Sequence, residues 1–187
     1  SVRKNAMPKL TGTAISIGSS AQLLSLLNQA ASGTGGSIIL RATGASSTID
    51  INNTDGSIVA DRGLVDIRQL GGSGGINITN ATIFADVIKI GALGANGTLT
   101  SNGGKISADT LLRLYAGGSN GSIIFSGNVT LNSQSTATMI AANSVTILNG
   151  FVVTIGGPNI AFVYATLANY TGSGGNGSTT GMFGGTG

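Results

Sequence analysis

The sequence predicts an all-β protein, a right-handed parallel β-helix with an N-terminal capping α-helix. Three observations carry that expectation. One pattern recurs in SIVADRGLVDIRQLGG (Ser57 to Gly72), TIFADVIKIGALG (Thr82 to Gly94) and KISADTLLRLYAGG (Lys105 to Gly118). Its register marks are Ala60-Asp61, Ala85-Asp86 and Ala108-Asp109, with periods of 25 and then 23 residues. Repeats of that length built from short apolar strands are the signature of a stacked solenoid. Glycine supplies 32 of 187 residues and only 8% are charged, against 41% apolar, a balance opposite to that of a solvated disordered chain.

Residues 1–18 read as a polar arm followed by a first strand, LTGTAISI (Leu10 to Ile17). Residues 19–33 read as the capping helix: Ser19 and Gln22 make a capping box, Leu23, Leu24, Leu26 and Leu27 form an apolar stripe, and Gly33 suits the C-terminal cap. Such a helix would cover the open apolar end of the first coil. Residues 34–157 are the solenoid, opening with GSIILRA (Gly36 to Ala42) and STIDINN (Ser47 to Asn53). GINITN, GTLTSN and GSIIFSGNVTLN alternate with the Ala-Asp segments, so each coil takes three strands separated by Gly and Asn corners. TMIAANSVTILNG reads as a fourth copy with Ala142-Asn143 at the mark, and Asn128 to Thr136 as an insertion before it. Residues 158–187 read as a C-terminal cap and a Gly-rich tail.

In one strand of each coil the triplets Val65-Asp66-Ile67, Ile88-Lys89-Ile90, Leu112-Arg113-Leu114 and Val145-Thr146-Ile147 align. Alternation sends the aliphatic members inward and Asp66, Lys89, Arg113 and Thr146 outward. Coils about 4.8 Å apart would then let Asp66 pair with Lys89.

The strand and corner pattern resembles the filamentous-haemagglutinin type of secreted passenger and, more widely, bacterial β-helical adhesins. The stretches ISADTLLRLYAGGSNGSIIFSGNVTLN and NYTGSGGNGSTTG also resemble the ends of large surface proteins with Fec-regulator-like domains. The resemblance implies a bacterial, extracellular, cell-surface protein. It leaves activity open, because adhesins, lyases and structural fibres share this fold.

The net charge of +3 comes from Arg3, Lys4 and Lys9; from Leu10 onward six basic residues face six Asp, and no charge follows Arg113. No basic stripe is visible for nucleic acid. With no Cys, His or Glu, disulfides and thiolate or imidazole metal sites are excluded, as is the commonest general base. No apolar run reaches the length of a membrane span. A start at Ser1 suits a secreted protein whose signal peptide has been removed.

Asp61, Asp86 and Asp109 are the candidates for chemistry, because equivalent corners would stack them about 5 Å apart. That spacing suits a Ca²⁺ ladder or a carboxylate pair for polysaccharide cleavage. The structural reading, corner Asp residues bonded to their own backbone, is favoured. No catalytic residue, cofactor or metal is therefore assigned. The expected function is a non-catalytic structural or adhesive subunit that polymerises head to tail, with cell-surface glycans as the second class of partner. A carbohydrate-binding adhesin domain is the alternative, and a β-helical lyase or hydrolase ranks below it. Candidate assembly residues are Arg3, Lys4, Lys9, Leu10, Ile15 and Ile17 at one end and Phe162, Tyr164, Tyr170, Met182 and Phe183 at the other.

Overall fold

The structure is a computed structural model and describes residues 9–25, 36–148, 150–156, 159–162 and 170–172. The chain winds as a parallel β-solenoid, and no helix occurs among the described residues. The strands are β1 (Lys9–Gly12), β2 (Ala14–Ile17), β3 (Gln22–Ser25), β4 (Ser37–Ala42), β5 (Thr48–Asn52), β6 (Ser57–Gln69), β7 (Gly75–Ala92) and β8 (Thr98–Ala116). They continue as β9 (Ser122–Phe125), β10 (Val129–Ser133), β11 (Thr136–Ala141), β12 (Ser144–Ile147), β13 (Val153–Gly156), β14 (Asn159–Phe162) and β15 (Tyr170–Gly172).

Three faces emerge from the register. The first stacks β1, β4, the C-terminal parts of β6, β7 and β8, then β11 and β14. The second stacks β2, β5, the starts of β7 and β8, then β9, β12 and β15. The third stacks β3, the start of β6, the middles of β7 and β8, then β10 and β13. All these ladders are parallel, so each coil adds one strand to every face. The long β6, β7 and β8 turn corners at left-handed residues within the strand: Arg62 at φ +50°, Asn80 at φ +48°, and Gly103 and Gly104 at φ +78° and +97°.

The core follows from alternation. Ile38 and Leu40, Val65 and Ile67, Ile88 and Ile90, and Leu112 and Leu114 occupy successive coils of the first face and are at most 1% exposed. Ile49, Ile76, Leu99 and Ile123 form the matching column of the second face, and Ile58, Ile83, Ile106 and Leu131 that of the third. Burying one such side chain contributes about 1.5–3 kcal/mol. The corner between the first and second faces admits little more than backbone: a β-carbon on Gly72, at φ +40°, would collide with the carbonyl of Ala45 in the preceding coil.

Gln69 extends the inner column with a polar group. It is fully buried, its Nε2 donates to Ser47 Oγ at 3.2 Å and to the Gly71 carbonyl, and its Oε1 accepts from the Gly94 N–H at 3.1 Å. One side chain thus ties the corners of three coils, meeting the rule that buried polar groups are bonded.

Several expectations are corrected. Gln22–Ser25 is a strand paired with Ser57–Ala60, not the start of a capping helix, and residues 26–33 of that helix lie outside the described residues. A Leu-rich run suits either element, and pairing of Leu23 and Leu24 with Ile58 and Val59 decides it. LTGTAISI is two strands with a corner at Thr13. Nothing is inserted at Asn128 to Thr136: Val129–Ser133 is the regular third-face strand, in register with Gly104 to Ala108. The fourth corner mark is consequently Ser133-Gln134 and not Ala142-Asn143. Thr138 is the residue in register with Arg113, while Val145-Thr146-Ile147 stacks on Ile123-Ile124-Phe125 of the second face.

Candidate functional site

The acidic corner joins the third face to the first. Ala60, Ala85 and Ala108 are in register, but three residues separate Ala60 from Leu64, one separates Ala85 from Val87, and two separate Ala108 from Leu111. Corners of unequal length carry Asp61, Asp86 and Asp109 onto different paths. The Thr110 hydroxyl donates to Asp86 Oδ1, and Gln134 Nε2 donates to Asp109 Oδ1 at 2.9 Å. The next coil therefore supplies a neutral donor to each of these two carboxylates. Among the described residues no three metal-ligating side chains form a group that could hold an ion.

The outer surface of the first face is chemically different. Two rows run across the coils: Ile39, Asp66, Lys89, Arg113 and Thr138 in one, Arg41, Arg68, Gly91, Tyr115 and Ile140 in the other. Four of the six cations that follow Leu10, namely Arg41, Arg68, Lys89 and Arg113, share this face with one carboxylate, Asp66. A basic stripe exists after all, assembled from residues 21 to 27 positions apart in sequence.

Asp66 does not pair with Lys89, although the two are in register. Arg41 Nη2 reaches its Oδ2 at 2.5 Å and Arg68 Nε its Oδ1 at 2.8 Å, while Arg41 Nη1 donates to the Asp66 carbonyl at 2.9 Å. The forked guanidinium satisfies several acceptors from one position, which a lysine ammonium on a flexible stem matches less well. Covered by both arginines, Asp66 is only 5% exposed on an outward-facing position. Its charge is taken up by Arg41 and Arg68. Lys89 and Arg113 have no acidic partner within 4.0 Å among the described residues.

A recess of about 240 Å³ opens beside them, lined by Arg68, Lys89, Gly91, Leu93, Arg113 and Tyr115, with Ile90 beneath. Its origin is Gly91, the one position in its row with no side chain, flanked by Arg68 on one coil and Tyr115 on the next. With coils about 4.8 Å apart, the backbones of Arg68 and Tyr115 stand about 10 Å apart across this notch. The tyrosine ring extends along its strand: a β-carbon added at Gly117 would lie 2.7 Å from Tyr115 Cε1. Arg113 is exposed, and Lys89 and Tyr115 are half-buried.

The sequence-derived assembly residues separate into distinct groups. Lys9 and Leu10 are exposed on β1, whereas Ile15 and Ile17 are 7% and 5% exposed and belong to the core column above Ile49 and Ile51. Phe162 and Tyr170 lie in β14 and β15. Arg3, Lys4, Tyr164, Met182 and Phe183 lie outside the described residues. No helix among the described residues is long and apolar enough to cross a membrane. The chain matches no protein-family model, no curated protein and no solved structure. Its likeness to β-helical proteins stands at the level of the parallel β-solenoid fold.

Proposed function

We propose that this chain is a non-catalytic, extracellular β-solenoid of the adhesive or structural kind, and that the outer surface of its first face is where it meets a partner. The coil is taken as right-handed, the sense nearly all parallel β crossovers adopt. The observation that carries the reading is the sorting of charge: four of the six cations that follow Leu10 gather on one face, and two of them, Lys89 and Arg113, have no acidic partner among the described residues. Cations held in register by a rigid ladder bind without the backbone-ordering cost that a flexible basic arm incurs. The neutral donors on Asp86 and Asp109 support a structural role for the acidic corner. Binding of labelled protein to intact cells tests the proposal, with loss expected in the paired variant Lys89→Ala/Arg113→Ala. Turnover of an acidic glycan that Asp86→Asn abolishes would replace this reading with an enzyme.

End-to-end assembly is the second reading, favoured by the first coil. Among the described residues β1, β2 and β3 each pair on one side only, and Leu10 and Leu24 are 42% and 45% exposed. Unpaired parallel edges recruit further strands. Filaments in electron micrographs of concentrated protein, lost in Leu10→Lys/Leu24→Lys, are the expected result; monomers at every concentration would exclude it.

A further inference from the structure

We infer that the recess at Gly91 is a subsite for one unit of an acidic polysaccharide, a polyuronate chain that lies along the solenoid axis across the first face. The inference rests on the proposed role of that face and names the ligand class it takes. Three features converge on this chemistry. Lys89 and Arg113, without an acidic partner among the described residues, are register neighbours on successive coils, about 4.8 Å apart at the backbone. They offer a carboxylate on each successive unit its own cation, and a charged hydrogen bond of this kind is stronger than a neutral one. The Gly91 notch is smaller than the roughly 300–1,000 Å³ of a drug-sized pocket, which suits a single ring. Tyr115 forms one wall and Leu93 lies beside it, giving the ring's C–H face an apolar surface, while Lys89 and Arg113 meet the acid groups of this unit and the next.

Alternative anionic polymers fit less well. An extended acidic peptide presents same-face carboxylates about 6.7 Å apart, out of step with the coil spacing. A nucleic acid strand draws on a longer cationic track and successive stacking platforms, whereas the row past Tyr115 continues into Ile140.

The test is calorimetric titration of the intact chain with oligogalacturonate, neutral dextran oligomer, poly-glutamate and a single-stranded oligonucleotide, at low and high salt. Oligogalacturonate should bind, dextran should not, and binding should weaken as salt rises. Lys89→Ala/Arg113→Ala should lower affinity by tenfold or more, from the loss of two charged contacts. Gly91→Val should fill the notch and abolish binding while the fold is kept, since the three atoms nearest a β-carbon there all belong to the flexible Leu93 side chain, at 3.3 Å and beyond. Gly117→Ala, which displaces the Tyr115 ring without altering charge, should weaken binding several-fold. If poly-glutamate or the oligonucleotide binds as tightly as the uronate, or if Gly91→Val and Gly117→Ala leave uronate binding unchanged, the subsite is wrong although the face still binds. If no anionic polymer responds to Lys89→Ala/Arg113→Ala, the reading of the face itself is wrong.

Discussion

Replacing Gln69 by leucine isolates the polar tie between coils, because the side chains are similar in size and only the hydrogen bonds disappear. The Gly94 N–H, buried in the native fold, loses its acceptor Oε1, and Ser47 Oγ and the Gly71 carbonyl lose their donor. An unsatisfied buried donor costs about 1–3 kcal/mol and the two other lost bonds about 1 kcal/mol each, giving a destabilisation of about 3–5 kcal/mol. That is about 150- to 4,000-fold in the unfolding equilibrium. Ser47→Ala, which removes one bond and leaves the Gly94 contact, should cost about 1 kcal/mol. Urea unfolding followed by far-ultraviolet circular dichroism measures both. Because solenoid stability is a sum of coil and interface terms, amide exchange at Gly94 should also accelerate while distant coils stay protected. A Gln69→Leu protein within about 0.5 kcal/mol of the parent, with Gly94 exchange unchanged, would refute the claim that this side chain binds the three corners together.

The same unfolding assay checks further expectations. Ile90→Val should cost about 0.5–1.5 kcal/mol and Ile90→Ala about 2–5 kcal/mol, and Ile90→Asp should prevent folding, because Ile90 is 1% exposed in a continuous column. Asp66→Asn should destabilise by about 1–3 kcal/mol, less than for a fully buried pair because Arg68 remains 39% exposed; the released arginines should also strengthen retention on a cation exchanger. Gly72→Ala and Gly150→Ala both force alanine into positive φ, at a cost of about 1–2 kcal/mol, but only the former meets a neighbouring coil. Gly72→Ala should therefore be clearly the more damaging; equal effects would contradict the close stacking of that corner.

The sequence made the solenoid legible wherever local alternation and the repeat agreed. Ala60, Ala85 and Ala108 fall in register as their spacing implied, and Ile67, Ile90 and Leu114 share one buried column. The letters misplace the fourth copy: Ala142-Asn143 lies 34 residues beyond Ala108, outside the 23 to 25-residue period. Constant spacing pointed instead to Ser133, whose strand lacks the Ala-Asp letters but keeps the alternation. The cationic face was missed for a related reason. Arg41 and Arg68 stand one alternation step beyond the aligned triplets, so only the three-dimensional register placed them around Asp66 and flanked Gly91 with Arg68 and Tyr115. A glycine reads in sequence as a corner, yet Gly91 lies within β7, and its meaning comes from the side chains on the coils either side.

The register of the first face carries the whole account, and paired cysteines measure it directly in a chain that has none of its own. A disulfide needs Cα atoms about 4.4–6.8 Å apart, which neighbouring parallel strands provide and other faces do not. Arg113→Cys combined with Thr138→Cys should crosslink on mild oxidation, as should Lys89→Cys combined with Arg113→Cys, whereas Arg113→Cys combined with Thr146→Cys should stay reduced. Crosslinking of the 113 and 146 positions, with none between 113 and 138, would contradict the register and the binding face built on it.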